Sequence, residues 1–271
     1  MNTDIAREPP KPSATPGWKD PACILITGAT GGIGAALARD YARKGRTLIL
    51  HGRDTTRLGA LSEECNARGA RVVHLTFDLR DADAAVAQLR SVSQREAIDL
   101  VIVNAGVTRT IGKGEQVESL AAAREILAVN LDGALATVAG VLPEMRSRQR
   151  GQIALISSLA AYVGLPHTPI YCASKAALRA YGEALRTWLA PQGIAVSVAL
   201  PGFVSTPMTD SLRGPKPAMM SPERAARLIR RGLEENRARI AFPKSLAWGL
   251  LWLSVLPPSV SERIKRSMGF G

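Results

Sequence analysis

A short apolar run, Cys23-Ile24-Leu25-Ile26, passes without a break into Thr27-Gly28-Ala29-Thr30-Gly31-Gly32-Ile33-Gly34, after which residues 35–43 have helical composition. The order strand, glycine turn, helix restricts the fold more than any other stretch of this chain. At a helix N-terminus the free N–H groups and the positive end of the dipole face one point, and glycines let a pyrophosphate approach the backbone closely. Gly28, Gly32 and Gly34 read G-x-x-x-G-x-G, which departs from the generic G-x-G-x-x-G dinucleotide fingerprint. Taken alone, such a turn is equally a plain tight turn. Further apolar runs cover 47–51, 71–77, 98–103, 152–156 and 195–200, separated by helical stretches, and 239–242 adds another. Six strands alternating with helices, plus this seventh, predict an α/β fold: a doubly wound parallel sheet with helices on both faces and a ligand site at the carboxyl ends of its strands.

A second stretch carries reactive groups. Ser157-Ser158 leaves the run at 152–156, and Tyr171-Cys172-Ala173-Ser174-Lys175 opens an alanine-rich pattern that predicts a helix over 174–185. Tyr171 and Lys175 are four residues apart and share one helical face, about 6 Å apart along the axis. A phenol with an ordinary pKa near 10 is a poor acid-base catalyst at neutral pH, and bringing it to about 7 takes roughly 4 kcal/mol of preferential stabilisation of the phenolate. Opposite charges about 4 Å apart at an effective dielectric of 20 interact by roughly that amount, so Lys175 is expected to lower the Tyr171 pKa. By itself a Tyr and a Lys one turn apart also mark the edge between a buried and a solvated face.

The 271 residues, 46% hydrophobic and 21% charged, suit one large soluble domain. Residues 1–20 hold Pro9, Pro10, Pro12 and Pro16 among polar residues, without the apolar core of a secretory signal, and are expected to form a disordered tail. Cys23, Cys65 and Cys172 are scattered, as are His51, His74 and His167. They predict no metal site and no disulfide framework, and they fit a reduced, cytoplasmic setting. A net charge of +12 is compatible with nucleic acid, an anionic membrane or a phosphorylated cofactor, but the basic residues are dispersed and no RNA-binding aromatic signature accompanies them, so no nucleic-acid partner is expected.

With Thr-Gly-x-x-x-Gly-Ile-Gly near the start and the serine and Tyr-x-x-x-Lys group downstream, the chain resembles the short-chain dehydrogenase/reductase family from about residue 24 to 206. The resemblance implies a single Rossmann-type domain, here residues 21–244, and nicotinamide-dependent interconversion of a carbonyl and an alcohol. It places the cofactor pyrophosphate on the turn of Gly28, Thr30, Gly31, Gly32, Ile33 and Gly34. A ribose 2′-hydroxyl is best received by a carboxylate at the end of the second strand, whereas a 2′-phosphate needs room and an arginine. Gly52-Arg53 follows the 47–51 run and is similar to the family's NADP-preferring pattern, so NADP(H) is expected over NAD(H), with Asp54 the competing feature. By the same resemblance Asp78 and Leu79 contact adenine, Asn104-Ala105-Gly106 lies against the cofactor, and Pro201, Gly202, Val204 and Thr206 bracket the nicotinamide.

Four residues then take catalytic roles. Side chains alternate along a strand, so only one of Ser157 and Ser158 faces the substrate. Ser158 stands thirteen residues before Tyr171, the family's usual interval, and is assigned to catalysis. Tyr171 acts as acid and base, and Lys175 also bonds the nicotinamide ribose. Asn130, set in a long apolar helix predicted over 125–142, resembles the family's proton-relay residue; its amide also needs partners of its own, and bonding to neighbouring backbone is an equal account of it. The alternative function is a non-catalytic NADP(H)-binding scaffold, which keeps the fold without turnover.

Residues 207–220 lack a clear period and suit a mobile lid over a small-molecule substrate, while Ser221 and Pro222 cap a helix over 224–235. In the extension 245–271, residues 246–256 with Trp248 and Trp252 are apolar on nearly every side. As a helix that segment is about 17 Å long against roughly 30 Å of bilayer hydrocarbon and cannot span it. It is expected to cover the substrate cleft, to enter a subunit interface, or to lie on a membrane surface beside the basic run Arg263-Ile264-Lys265-Arg266. The family resemblance implies a homodimer or homotetramer.

Overall fold

The computed structural model describes residues 20–111 and 118–267; the tail expected over 1–20 lies outside the described residues except for Asp20, which pairs with Arg43 and, at 2.6 Å, with Arg46. In chain order the elements are β1 (Cys23–Ile26), α1 (Gly32–Tyr41), β2 (Thr47–His51), α2 (Thr55–Ala67), β3 (Arg71–Leu75), α3 (Ala82–Arg95) and β4 (Leu100–Val103). Helix α4 (Leu120–Leu127) then passes through a single π turn, Ala128–Asp132, into α5 (Gly133–Ser147). There follow β5 (Gly151–Ile156), α6 (Pro169–Leu189), β6 (Ile194–Pro201), the short α7 (Pro207–Asp210), α8 (Pro222–Glu234), β7 (Arg239–Phe242), α9 (Lys244–Val255) and α10 (Pro258–Ser267).

The seven strands form one sheet in the order β3-β2-β1-β4-β5-β6-β7, and every pairing is parallel. Because the winding reverses between β1 and β4, their carboxyl ends open the crevice in which sheets of this kind bind ligands. The strands are apolar throughout because both faces are covered. Alternation sorts their side chains: Ile24, Ile26, Leu48, Leu50, Leu100 and Ile102 pack under α1, α2 and α8, while Leu25, Ile49, Val101, Val103, Ile153 and Leu155 pack under α3, α5 and α6. A third, smaller core of Leu159, Ala161, Val198, Leu200 and Ala247 sits beneath α9.

The fold class read from sequence is the one observed, with two local corrections. The helix expected over 125–142 starts at Leu120, ends at Ser147 and is broken by the π turn at Asn130. The described part of the extension, up to residue 267, folds as two helices, of which α9 is two-faced: Ala247 and Leu253 are buried against the domain, whereas Trp248 and Trp252 are 61% and 66% exposed. Helix α6 lies unusually close to the sheet, since a Cβ at Gly182 would stand 2.5 Å from Val198 Cγ2 and 2.7 Å from Leu155 Cδ1. That closeness sets the depth of the Tyr171 and Lys175 side chains, about three and two turns earlier on the same helix.

Candidate active site

The glycine turn between β1 and α1 is shaped by contacts that leave no room for side chains. Gly28 has φ +62°, and a Cβ there would lie 2.7 Å from Ala105 Cα. At Gly34 it would lie 2.3 Å from Gly28 O, and at Gly32 the same distance from Thr206 Cγ2. Only glycine meets these conditions without strain. Gly31 N–H bonds Gly28 O at 3.1 Å, and Thr30 and Ile33 complete the loop and the first helical turn. Asn104 staples the turn from β4: its amide donates to Thr27 O at 3.1 Å and to Gly28 O at 3.0 Å, and its N–H and that of Ala105 both reach Thr27 Oγ1.

His51 holds the other side, a role that its isolation in the sequence concealed. Its Nδ1 accepts from Gly28 N–H at 3.4 Å, and its Nε2 lies 3.0 Å from Phe77 O, the arrangement of a neutral ring protonated at Nε2. Burial pushes its pKa down, which keeps that ring neutral.

At the end of β2, a Cβ on Gly52 would come within 3.0 Å of Thr30 Cγ2, so a carboxylate at this position would crowd the loop. Asp54 is committed elsewhere: it caps α2 by accepting from Arg57 N–H at 3.0 Å and pairs with the Arg57 guanidinium at 3.3 Å. Arg53 is about half exposed, with its guanidinium 3.8 Å from Asp78. The Asp78 carboxylate accepts from Arg80 Nε at 2.8 Å, and this bond holds its pKa down at about 2. Leu79 is buried beside Gly133. These residues fit a dinucleotide: a backbone cradle free of Cβ atoms, then an unobstructed strand end bordered by a guanidinium.

On the opposite side of the crevice, Pro201 ends β6 and Gly202 N–H bonds Phe242 O at 2.8 Å. Val204 forms a parallel bridge with Met220 whose bonds run from Ser205 N–H to Met220 O and from Met220 N–H to Phe203 O, so the peptide groups of Val204 itself take no part in it. Thr206 caps α7 through its hydroxyl, at 3.3 Å from Thr209 N, and rests its methyl on Gly32.

The catalytic candidates meet where β5 and α6 adjoin. Ser158 and Tyr171 both line an apolar cavity, and the Ser158 hydroxyl, which accepts from Ala160 N–H at 3.1 Å, lies near enough to the phenol to favour its ionised form. Ser157 turns away, as alternation requires, and donates to Lys175 O at 2.7 Å, so it is structural. Lys175 is buried, with Nζ 3.0 Å from Ile156 O and 5.8 Å from the centre of the Tyr171 ring. Asn130 is fully buried in the π turn and completely engaged: Oδ1 accepts from Val107 N–H at 2.7 Å, and Nδ2 donates to Val107 O at 2.9 Å and Ser174 Oγ at 3.0 Å. Ser174 in turn donates to Tyr171 O at 2.7 Å. The chain Val107, Asn130, Ser174, Tyr171 fixes the first turn of α6, and Ser174 is a member that sequence reasoning passed over. Gly106 keeps the space beside Lys175 open, since a Cβ there would lie 3.3 Å from both Lys175 Nζ and Asn130 Oδ1.

The expected effect of Lys175 on Tyr171 is not what this geometry produces. Burial pushes the phenol up to about 12, against the opposing pull of the Ser158 hydroxyl. Burial likewise pushes Lys175 down to about 8. The ammonium points to Ile156 O and lies under the ring instead of against the phenol oxygen, so desolvation outweighs charge attraction. At pH 7 the pair is therefore a neutral phenol and a cationic lysine, which is a proton donor with a positive charge behind it.

The cavity in front of Tyr171 is walled by Leu159, Val163, Leu165 and Phe203, by Met208 and Leu212 from the lid segment, and by Leu246, Leu250 and Leu253 of α9. The inner face of α9 thus covers the cleft, one of the three placements expected for it.

A parallel sheet with a glycine cradle at its reversal point and a Ser-Tyr-Lys group on an apolar cavity defines an oxidoreductase of the nicotinamide-dependent kind. Residues 22–216 match the family described as short chain dehydrogenase, and the chain belongs to that family. It is 35% identical over 246 residues to an uncharacterized oxidoreductase of Myxococcus xanthus, covering 90% of this chain and 96% of that protein. Among solved structures, a short-chain dehydrogenase from Sphingobium yanoikuyae in complex with NADPH is 26% identical with a TM-score of 0.74, over 88% of this chain and 97% of that one. A 3-oxoacyl-[acyl-carrier protein] reductase from Brucella melitensis with bound NAD is 27% identical with a TM-score of 0.69, over 81% and 87% of the respective chains.

A lysine whose pKa falls from 10.5 to about 8 on folding leaves a signature in stability. Below pH 8 both states hold the proton and the buried charge weakens the fold. Between 8 and 10.5 the folded state releases it first, so stability rises with pH. Urea unfolding of wild type and Lys175→Met at pH 7.5 and pH 10 is expected to show wild type gaining about 2 kcal/mol relative to the variant. An unchanged difference contradicts the burial of the ammonium.

Proposed function

We propose that this chain is an NADP(H)-dependent oxidoreductase that interconverts a carbonyl and a secondary alcohol, with Tyr171 as its acid and base. The observation that carries the reading is the pair of hydroxyls, Ser158 and Tyr171, set together on one apolar cavity with the Lys175 ammonium behind them. In the reducing direction both hydroxyls donate to the carbonyl oxygen. A bound nicotinamide supplies the hydride. As negative charge develops on oxygen, Tyr171 gives up its proton, and Lys175 stabilises the phenolate left behind across a low-dielectric space. Ser158 holds the oxygen throughout. Asn130 and Ser174 keep the first turn of α6 in register, so that the hydroxyl meets the oxygen at a fixed height.

The NADP(H) preference rests on Gly52 and Arg53, with Asp54 withdrawn into its helix cap. Cofactor names among the similar structures do not decide it, since one carries NADPH and another NAD. A guanidinium that engages a 2′-phosphate contributes about 1.5–3 kcal/mol.

Steady-state turnover of NADPH against a panel of lipophilic ketones tests the proposal. Tyr171→Phe is expected to lower kcat/KM by about 10²–10⁴-fold with NADPH affinity retained; full activity without the phenol sinks the assignment. In the same assay Arg53→Ala is expected to raise the KM for NADPH roughly tenfold or more and leave that for NADH unchanged. Equal losses with both cofactors refute the role given to Arg53.

A further inference from the structure

The cavity in front of Tyr171 has an asymmetric lining. Its apolar wall is built from Leu159, Leu165, Phe203 and the three leucines of α9. Of its polar residues, Ser158 and Tyr171 belong to the reaction, Thr168 is turned to Cys172 Sγ and Thr209 to Thr206 Oγ1. Among the described residues the remaining polar side chains are His167, Arg213 and Lys265, and no aspartate or glutamate lines the cavity.

Half of the arginines among the described residues are paired with carboxylates, for example Arg39 with Glu64, Arg230 with Asp40 and Arg239 with Glu183. Arg213, which is exposed, and Lys265 border the cavity without such a partner: among the described residues neither side chain forms an ion pair or hydrogen bond, although Asp210 is three residues from the first and Glu262 three from the second. Lys216, in the same lid segment, is by contrast turned to Asp210 O. Two cations from separate elements, the lid and α10, therefore border one apolar space without a counter-charge. Lys265 is half-buried there, while its neighbours on α10, Arg263 and Arg266, face solvent.

We propose that the substrate is an anionic amphiphile: a carbonyl compound with an aliphatic body lying along α9 and a carboxylate or phosphate received by Arg213 and Lys265. The inference rests on this cavity being the substrate site, and it adds what recognises the end of the molecule remote from the carbonyl. A cation beside a low-dielectric wall gains more from an anion than one in bulk water, and a neutral chain of the same length takes nothing from it. Arg213 lies on the lid and Lys265 on α10, so binding the anion also draws these two elements together over the cleft.

The test is equilibrium displacement of the neutral dye Nile red from the full-length, cofactor-free protein by dodecanoate, dodecyl phosphate and dodecanol. At low salt at least one anion is expected to compete at a tenfold lower concentration than dodecanol, with the gap narrowing as salt is added. The better anion tells carboxylate from phosphate. In Arg213→Met/Lys265→Met the gap closes while dodecanol binds as before, which also reports that the variant is folded. Equal competition by all three compounds in wild type, no competition by any, or an anion preference that persists in the double variant overturns the proposal. Because no turnover is measured, the two readings fail separately: a protein that prefers the anions yet reduces no ketone refutes the catalytic reading while keeping the anion recognition by Arg213 and Lys265.

Discussion

A lysine ammonium kept out of water beneath β5 carries a desolvation cost, and the surrounding architecture holds it there. Lys175 finds one protein acceptor, Ile156 O. Its own carbonyl is held by Ser157, its helix is pressed onto the sheet where Gly182 admits Leu155 and Val198, and the helix start is pinned through Ser174 and Asn130 to the backbone of Val107. Loosen any of these and water reaches the ammonium, relieving the desolvation that keeps it poised. Tyr171, half-buried on the cavity wall, feels the same desolvation. A phenol at about 12 beside a lysine at about 8 stays protonated over the whole neutral range, which suits the donation that carbonyl reduction requires.

The cofactor side follows a complementary logic, in which backbone instead of charge does the holding. Gly28, Gly32 and Gly34 are needed because Ala105, Thr206 and the turn's own carbonyl occupy the places where side chains would be. Asn104 and His51 clamp the turn from β4 and β2, so its shape is set before any ligand arrives. Preorganisation of that kind lets a pyrophosphate bind without ordering the loop.

What the sequence disclosed was what lies close together along it. The run from Cys23 through Gly34 announced strand, turn and helix, fully apolar segments announced a covered parallel sheet, and the interval from Ser158 to Tyr171 chose between two serines. The features that escaped depend on residues brought together from far apart. Nothing in the neighbourhood of His51 tells that it reaches both Gly28 and Phe77, and nothing near Ser174 tells that Asn130 donates to it. The π turn at 128–132 is invisible to a period count, because one extra residue per turn leaves an apolar helix apolar. The Tyr171 pKa went in the opposite direction from expectation for the same reason: spacing gives proximity along a helix, but the depth of that helix in the domain, set by Gly182, decides whether desolvation or attraction prevails. Lys265 is likewise indistinguishable in sequence from the arginines beside it.

The central claim is that burial, unrelieved by Lys175, keeps the Tyr171 phenol protonated. It is tested most directly by ultraviolet difference titration of the cofactor-free protein, subtracting Tyr171→Phe from wild type to isolate one phenolate absorbance. The account predicts that this absorbance stays absent up to pH 10 and emerges only beyond it. A phenolate signal with a midpoint near pH 7 would contradict it and restore the lysine as the dominant influence on the tyrosine.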